Sequence, residues 1–165
     1  MTKIGLLSDT HGHLDPKIFV HFKDVDEIWH AGDIGSLEVV DELRKFKPCR
    51  IIFGNIDETE IRTETVETEI FTVEKMKVVM THIGGRSGRY AKGIPELLTK
   101  ERPNIFVCGH SHILLVQHDK RFNILWLNPG ASGIKGFHAV RTLLRFEIEG
   151  EKIKNMEAIE LGSRV

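Results

Sequence analysis

Along this chain, short runs of apolar and β-branched residues repeatedly stop at a side chain able to ligate a divalent cation. Residues 4–7 precede Asp9, 51–53 precede Asn55, 78–80 precede His82 and 105–108 precede His110. Runs of this length and composition read as buried strands. A chain that must bury several of them is restricted to a few layered architectures. In open α/β sheets, ligands gather just outside the carboxyl ends of strands, so polar residues placed there converge on one crevice. Taken singly, Asp9-Thr10-His11, Gly32-Asp33, Gly54-Asn55 or His110-Ser111-His112 is ordinary turn chemistry. Their repetition at strand ends is what points to one shared cation site.

The remaining pattern supplies the layers. Strand signals over residues 3–8, 27–29 and 49–53 alternate with helical signals over 16–22 and 36–46. In the second helix Ser36 stands at the N-cap position, Leu37, Val40, Leu43 and Phe46 form one apolar face, and Lys47-Pro48 ends it. An acidic, threonine-rich connection over 57–68 leads to a predicted hairpin of strands 70–73 and 77–80, turning at Glu74-Lys75. A helix over 93–100 precedes a strand over 104–107, and strands over 113–117, 123–127, 142–148 and 152–159 follow. The pattern is α/β. It predicts two stacked sheets, the first largely parallel and the second mixed, with helices outside, in one domain over residues 1–165.

Composition narrows the function classes. The 165 residues, 41% of them hydrophobic, can bury a core without staples. Cys49 and Cys108 fall inside predicted strands, where reduced thiols pack as small hydrophobes. A net charge of −1 argues against general nucleic-acid binding by phosphate neutralisation. The first strand signal starts at Lys3, which leaves no room for a signal peptide. No apolar run approaches the roughly 18–20 residues of a membrane span, so a cytoplasmic location and no membrane partner are expected.

If the ligand segments are extended, residues i and i+2 point the same way, so Asp9 and His11 reach one metal and His110 and His112 share that geometry. Asp33 sits in Ala31-Gly32-Asp33-Ile34-Gly35, where the glycines permit a tight turn and its two carboxylate oxygens can bridge two cations. Asn55 offers a neutral amide oxygen, which limits the accumulated negative charge.

The order Asp9-x-His11, Gly32-Asp33, Gly54-Asn55, His82 and Gly109-His110-x-His112 resembles the calcineurin-like metallophosphoesterase superfamily. The chain length, and Asp57 after Asn55, resemble its small single-domain bacterial and archaeal phosphodiesterases. The resemblance runs from Ile4 to about Gly130. It implies a four-layer α/β/β/α sandwich of two mixed β-sheets flanked by helices, and two divalent metal ions, commonly manganese, with iron, zinc or nickel in relatives. By the same resemblance Asp9, His11, Asp33 and His112 hold the first metal, and Asp33, Asn55, His82 and His110 the second. A hydroxide bridging two cations about 3.5–4 Å apart would then attack phosphorus in line.

Two departures refine that expectation. Many relatives read Gly-Asn-His, with the histidine protonating the leaving oxygen; here Ile56 takes its place, which favours phosphodiesters, and His13 becomes the candidate proton donor. After His82 the chain reads Ile83-Gly84-Gly85-Arg86-Ser87-Gly88-Arg89, a loop able to offer backbone N–H groups and the guanidinium forks of Arg86 and Arg89 to a phosphate. His138 is expected to face the cleft as well. His30 is expected to orient the Asp33 carboxylate, with Asp57 as a further supporting residue, and His21 and His118 to lie on the surface. The expected substrate is a small phosphodiester. The alternatives are a phosphomonoesterase or nucleotide phosphatase on the same fold, or a non-catalytic binding scaffold like a retromer coat subunit that shares it.

Overall fold

The structure, a computed structural model, describes residues 1–165. Strands β1 (Thr2–Leu7), β2 (Glu27–His30) and β3 (Cys49–Ile51) pair in parallel, with Ile4 opposite Glu27 and Ile28 opposite Cys49. Helices α1 (Lys17–His21) and α2 (Leu37–Phe46) make the crossovers. Alternation along the strands sends Ile4, Leu6 and Trp29 to one face and Leu7, Ile28 and Ile51 to the other, where they meet Ile18, Val40 and Leu43 of the helices. Ser36 occupies the N-cap position of α2 in extended conformation, but its side chain makes no capping bond.

The second sheet contains β4 (Thr68–Val73), β5 (Met76–Thr81), β8 (Ile105–Val107), β9 (Leu114–Asp119) and β10 (Ile124–Pro129) in the order β4-β5-β8-β10-β9. Its inner pairs are parallel and its outer pairs antiparallel. The short strands β6 (Gly85–Arg86) and β7 (Arg89–Tyr90) form a separate hairpin, and α4 (Ile94–Glu101) covers the outer face through Ile94 and Leu98. Between the sheets Trp29 packs edge-on against Phe71 at 5.0 Å and Phe146 at 5.6 Å. Burying side chains of this size stabilises by about 1.5–3 kcal/mol each.

The layers are therefore α/β/β/α, but the first sheet is mixed rather than largely parallel. The C-terminal strands β11 (Val140–Glu149) and β12 (Lys152–Ser163) join it antiparallel, giving the order β12-β11-β1-β2-β3 with Thr2 opposite Ile148. The reason is burial: β11 carries Leu144, Phe146 and Ile148 on one face and Leu143 on the other, so it needs cover on both sides. The connection over 57–68 also contains a helix that its pattern does not announce, α3 (Thr59–Glu64), held by a single buried residue, Ile61. No helix is long and apolar enough to cross a membrane.

Candidate metal centre

The carboxyl ends of β1, β2, β3, β5 and β8 face one edge of the sandwich, and the candidate ligands follow them. Five of them are not extended. Asp9 (φ 54°), His11 (φ 45°), Asp33 (φ 54°), His110 (φ 69°) and His112 (φ 60°) all adopt the left-handed conformation. Such residues cost on the order of 1–3 kcal/mol each and persist where the surroundings over-determine them. The strand-like i, i+2 alignment is thus replaced by tight left-handed turns. His110 and His112 fall in different groups, the division that the resemblance implies: Asp9, His11 and His112 form one, and Asp33, His82 and His110 the other.

The two groups touch. Asp9 Oδ1 lies 3.2 Å from His112 Nε2 and 3.8 Å from His11 Nε2, while Asp33 Oδ2 lies 3.1 Å from His82 Nε2 and 3.7 Å from His11 Nε2. One oxygen of Asp33 therefore faces both groups. Asp9 Oδ1, His11 Nε2 and His82 Nε2 are buried with no hydrogen-bond partner. Three orphaned polar atoms in one pocket would be costly in a chain that holds nothing there, and a cation satisfies all of them. The donor set of carboxylates and imidazoles suits first-row divalent ions.

Neighbouring groups fix which atoms face inward. His82 Nδ1 donates to Ala31 O at 2.7 Å, leaving the Nε2 lone pair for the site. His138 Nε2 donates to Gly133 O at 2.8 Å, so its Nδ1 accepts from His112 Nδ1 at 3.2 Å and again leaves Nε2 free. Asp9 Oδ2 accepts from Ser8 Oγ at 2.7 Å and His110 N–H at 3.2 Å, and Asp33 Oδ1 accepts from Ile56 N–H at 3.1 Å. Gly54 and Gly109 allow these approaches, because a Cβ at either would collide with Asp33 Oδ1 or Ser8 Oγ respectively.

Burial opposes ionisation of Asp9, yet bonds to His11, His112 and Ser8 hold its carboxyl far below the usual range. Asp33 is likewise lowered against burial, chiefly by His82. For His82, burial opposes the charge but Asp33 and Asp9 prevail and raise its pKa above the ordinary value. The carboxylates are thus already in the deprotonated form that ligation requires.

Several residues take different places from those expected. His30 does not orient the Asp33 carboxylate: its Nδ1 accepts from Gly32 N–H at 3.1 Å and its Nε2 faces Thr10 Oγ1 at 3.0 Å. It sits on the Ile28 face of β2, fully buried, and burial pushes its pKa down to about 4. Asp57 accepts three backbone N–H groups, from Ile34, Gly35 and Gly54, and so staples the Asp33 loop to the Asn55 turn. His138 stands behind His112, where it orients that ring. His13 is half-buried, bonded through its backbone to Thr10 O, with no side-chain hydrogen bond. His118 is exposed as expected, whereas His21 is half-buried.

Asn55 is exposed on the turn after β3 and borders a cleft with His82. Arg86 and Arg89 are exposed on the β6–β7 hairpin and line a second groove with His110 and Ser111. Buried Asp119 accepts from Ser87 Oγ at 2.6 Å and Tyr90 OH at 2.5 Å, so this hairpin is anchored. Asp119 and Asn128 were not singled out from the sequence. Asn128 donates to Gly109 O and Ser111 Oγ, both at 3.0 Å, and holds the histidine loop; like the ligands it lies at the end of an apolar strand, the signal by which it was recognisable.

A model of the calcineurin-like phosphoesterase superfamily domain matches residues 2–151. The chain belongs to this superfamily. Among relatives of this calcineurin-like phosphoesterase, a probable metallophosphoesterase of Methanothermobacter thermautotrophicus is 27% identical over 171 residues, covering 98% of this chain and 94% of the relative. A phosphodiesterase of Methanocaldococcus jannaschii is 27% identical over 144 residues, covering 78% of this chain and 82% of the relative. Among solved structures, Vps29 of Entamoeba histolytica in complex with zinc matches with a TM-score of 0.72 at 16% identity, over 99% of each chain. At that identity the likeness shows the fold of the calcineurin-like phosphoesterase alone.

Proposed function

We propose that the protein is a divalent-metal-dependent phosphodiesterase acting on a small diester. Asp9, His11, Asp33 and His112 would hold one cation, and Asp33, Asn55, His82 and His110 the other, with manganese the favoured ion. The observation that carries this reading is the set of orphaned, inward-facing atoms, Asp9 Oδ1, His11 Nε2 and His82 Nε2. The phosphodiesterase named among the relatives supports the choice of ester.

Paired divalent cations supply Lewis acidity toward phosphoryl oxygens and make water a competent nucleophile near neutral pH. The chain's own residues position the parts. Asp33, facing both ligand groups, keeps them in register. Arg86 and Arg89, engaged in no ion pair of their own, can form charge-assisted bonds to phosphate oxygens from the anchored hairpin. Ile56 has no proton to give, so the departing oxygen either leaves unassisted or takes a proton from His13, whose ring is free to do so.

The rival reading is a binding scaffold, favoured by the fold shared with Vps29, a vacuolar protein sorting protein. Metal occupancy does not separate the two, because one Vps29 structure contains zinc. Turnover does. Protein reconstituted with manganese is expected to hydrolyse bis(p-nitrophenyl) phosphate faster than p-nitrophenyl phosphate, to stop on chelation, and to discriminate steeply against alkyl leaving groups. In His13→Ala, loss confined to poor leaving groups identifies His13 as the donor. Metal binding without hydrolysis of any diester favours the scaffold, and faster monoester hydrolysis favours the phosphatase.

A further inference from the structure

The metal centre opens on one side into a cleft of about 620 Å³, within the roughly 300–1,000 Å³ usual for small-ligand sites. Asn55 and His82 lie at its metal end, so a group bound there is continuous with the cation site. Its apolar wall residues come from both halves of the sandwich. Phe53 follows β3 of the first sheet, whereas Ile83 follows β5 and Ile94 and Leu97 project from α4. Ile94 and Leu97 are spaced three residues apart and so share one face of the helix. Ile83 is 44% exposed, an apolar side chain held at the mouth beside a ligand.

The cleft offers little to an anion. Arg62 is committed elsewhere: its Nε donates to Asp57 O at 2.6 Å, and its guanidinium lies 4.6 Å from the centre of the Phe53 ring. Lys92 and Glu67 carry opposite charges on the same lining. The free arginines, Arg86 and Arg89, line the other groove.

We propose that this cleft is a specificity subsite that seats an uncharged, apolar arm of aryl size attached to the phosphorus. The proposal rests on the phosphodiesterase reading for the location of the phosphoryl group. It explains how an enzyme with Ile56 in place of an acid can function: an arm that is aryl rather than alkyl is both held by the apolar walls and able to leave without a proton. Binding energy from a non-reacting surface would be spent on positioning the phosphorus.

A calorimetric series of methyl-, butyl- and phenylphosphonate, titrated into the protein with manganese chloride present, reads the subsite without requiring turnover. Phenylphosphonate is expected to bind at least tenfold more tightly than methylphosphonate. Leu97→Asp should reduce that ratio to near one while leaving methylphosphonate binding unchanged, and Ile83→Ser, at an exposed position, should reduce it by a few-fold without risk to the core. Equal affinities across the wild-type series, or a ratio untouched by both substitutions, would overturn the subsite, as would tighter binding of phosphonoacetate, which carries an anionic arm. An aryl preference without hydrolysis of any diester would instead remove the phosphodiesterase reading and leave the subsite standing; hydrolysis without the preference would do the reverse.

Discussion

The two sheets bring different chemistry to their common edge. At the ends of β1 and β2 the first sheet presents the carboxylates Asp9 and Asp33, with one imidazole, His11; the ends of β5 and β8 present imidazoles alone, His82, His110 and His112. Each sheet also orients the other's ligands. Ala31 O, from the first sheet, accepts from His82, and the His110 N–H, from the second, donates to Asp9. Neighbouring carboxylates on one sheet would repel each other if left alone, and the facing sheet supplies the compensating groups. Packing of the inter-sheet core is therefore a condition for forming the site at all.

The sharpest way to break this division is to remove a charge that faces both groups. Asp33→Asn is expected to lower turnover by about a thousandfold, roughly 4 kcal/mol, and to weaken both cation sites. Removing a single imidazole, as in His110→Gln, should weaken one group more than the other. Elemental analysis together with kcat for both variants tests this, and equal losses would show that oxygens and nitrogens are not distinct in role.

Next in size is the clamp on the loop of the first sheet that carries Asp9 and His11. Asp15 Oδ2 accepts from Arg141 Nη1 at 2.6 Å, and both residues are buried. Burial works against the Asp15 charge, but the Arg141 bond and the Lys17 N–H hold its carboxyl below the usual range. A lowered folded-state pKa stabilises fully above the unfolded value, about 3.9, and that contribution is lost as pH falls from there through the folded value. Asp15→Asn should cost about 3 kcal/mol at pH 7 by urea denaturation and flatten the acid limb below about pH 4. An unchanged acid limb would mean that the pair does not report on this sheet's stability.

The second sheet's imidazoles can be loosened without being removed. His138→Ala leaves His112 in place but unoriented, and is expected to lower metal affinity by about 10–100-fold with little change in melting temperature. Titration calorimetry checks this; an unaltered affinity would show that packing alone fixes the His112 ring. The smallest effect is expected farther out, where Asp119→Asn loosens the β6–β7 hairpin. It should raise KM a few-fold, leave kcat close to wild type, and speed amide exchange over residues 85–90, whereas His118→Ala should change neither.

What the sequence determined by itself was the strands and the candidate ligands that follow them. Apolar periodicity is local, and the residue after each strand is read from the same few positions: hence residues 4–7 ahead of Asp9, 105–108 ahead of His110, and the β4–β5 hairpin turning at Glu74-Lys75. The tertiary structure decided everything that depends on residues far apart in the chain. It set β11 beside β1, turned His30 onto Thr10 rather than Asp33, and placed His138 behind His112 and Asp119 beneath the hairpin. The left-handed backbone at Asp9, His11, Asp33, His110 and His112 belongs to the same class. Local preference disfavours that conformation, and tertiary bonds such as Asp9 N–H to Gly32 O and His11 N–H to Asp33 O, together with packing, outweigh its cost.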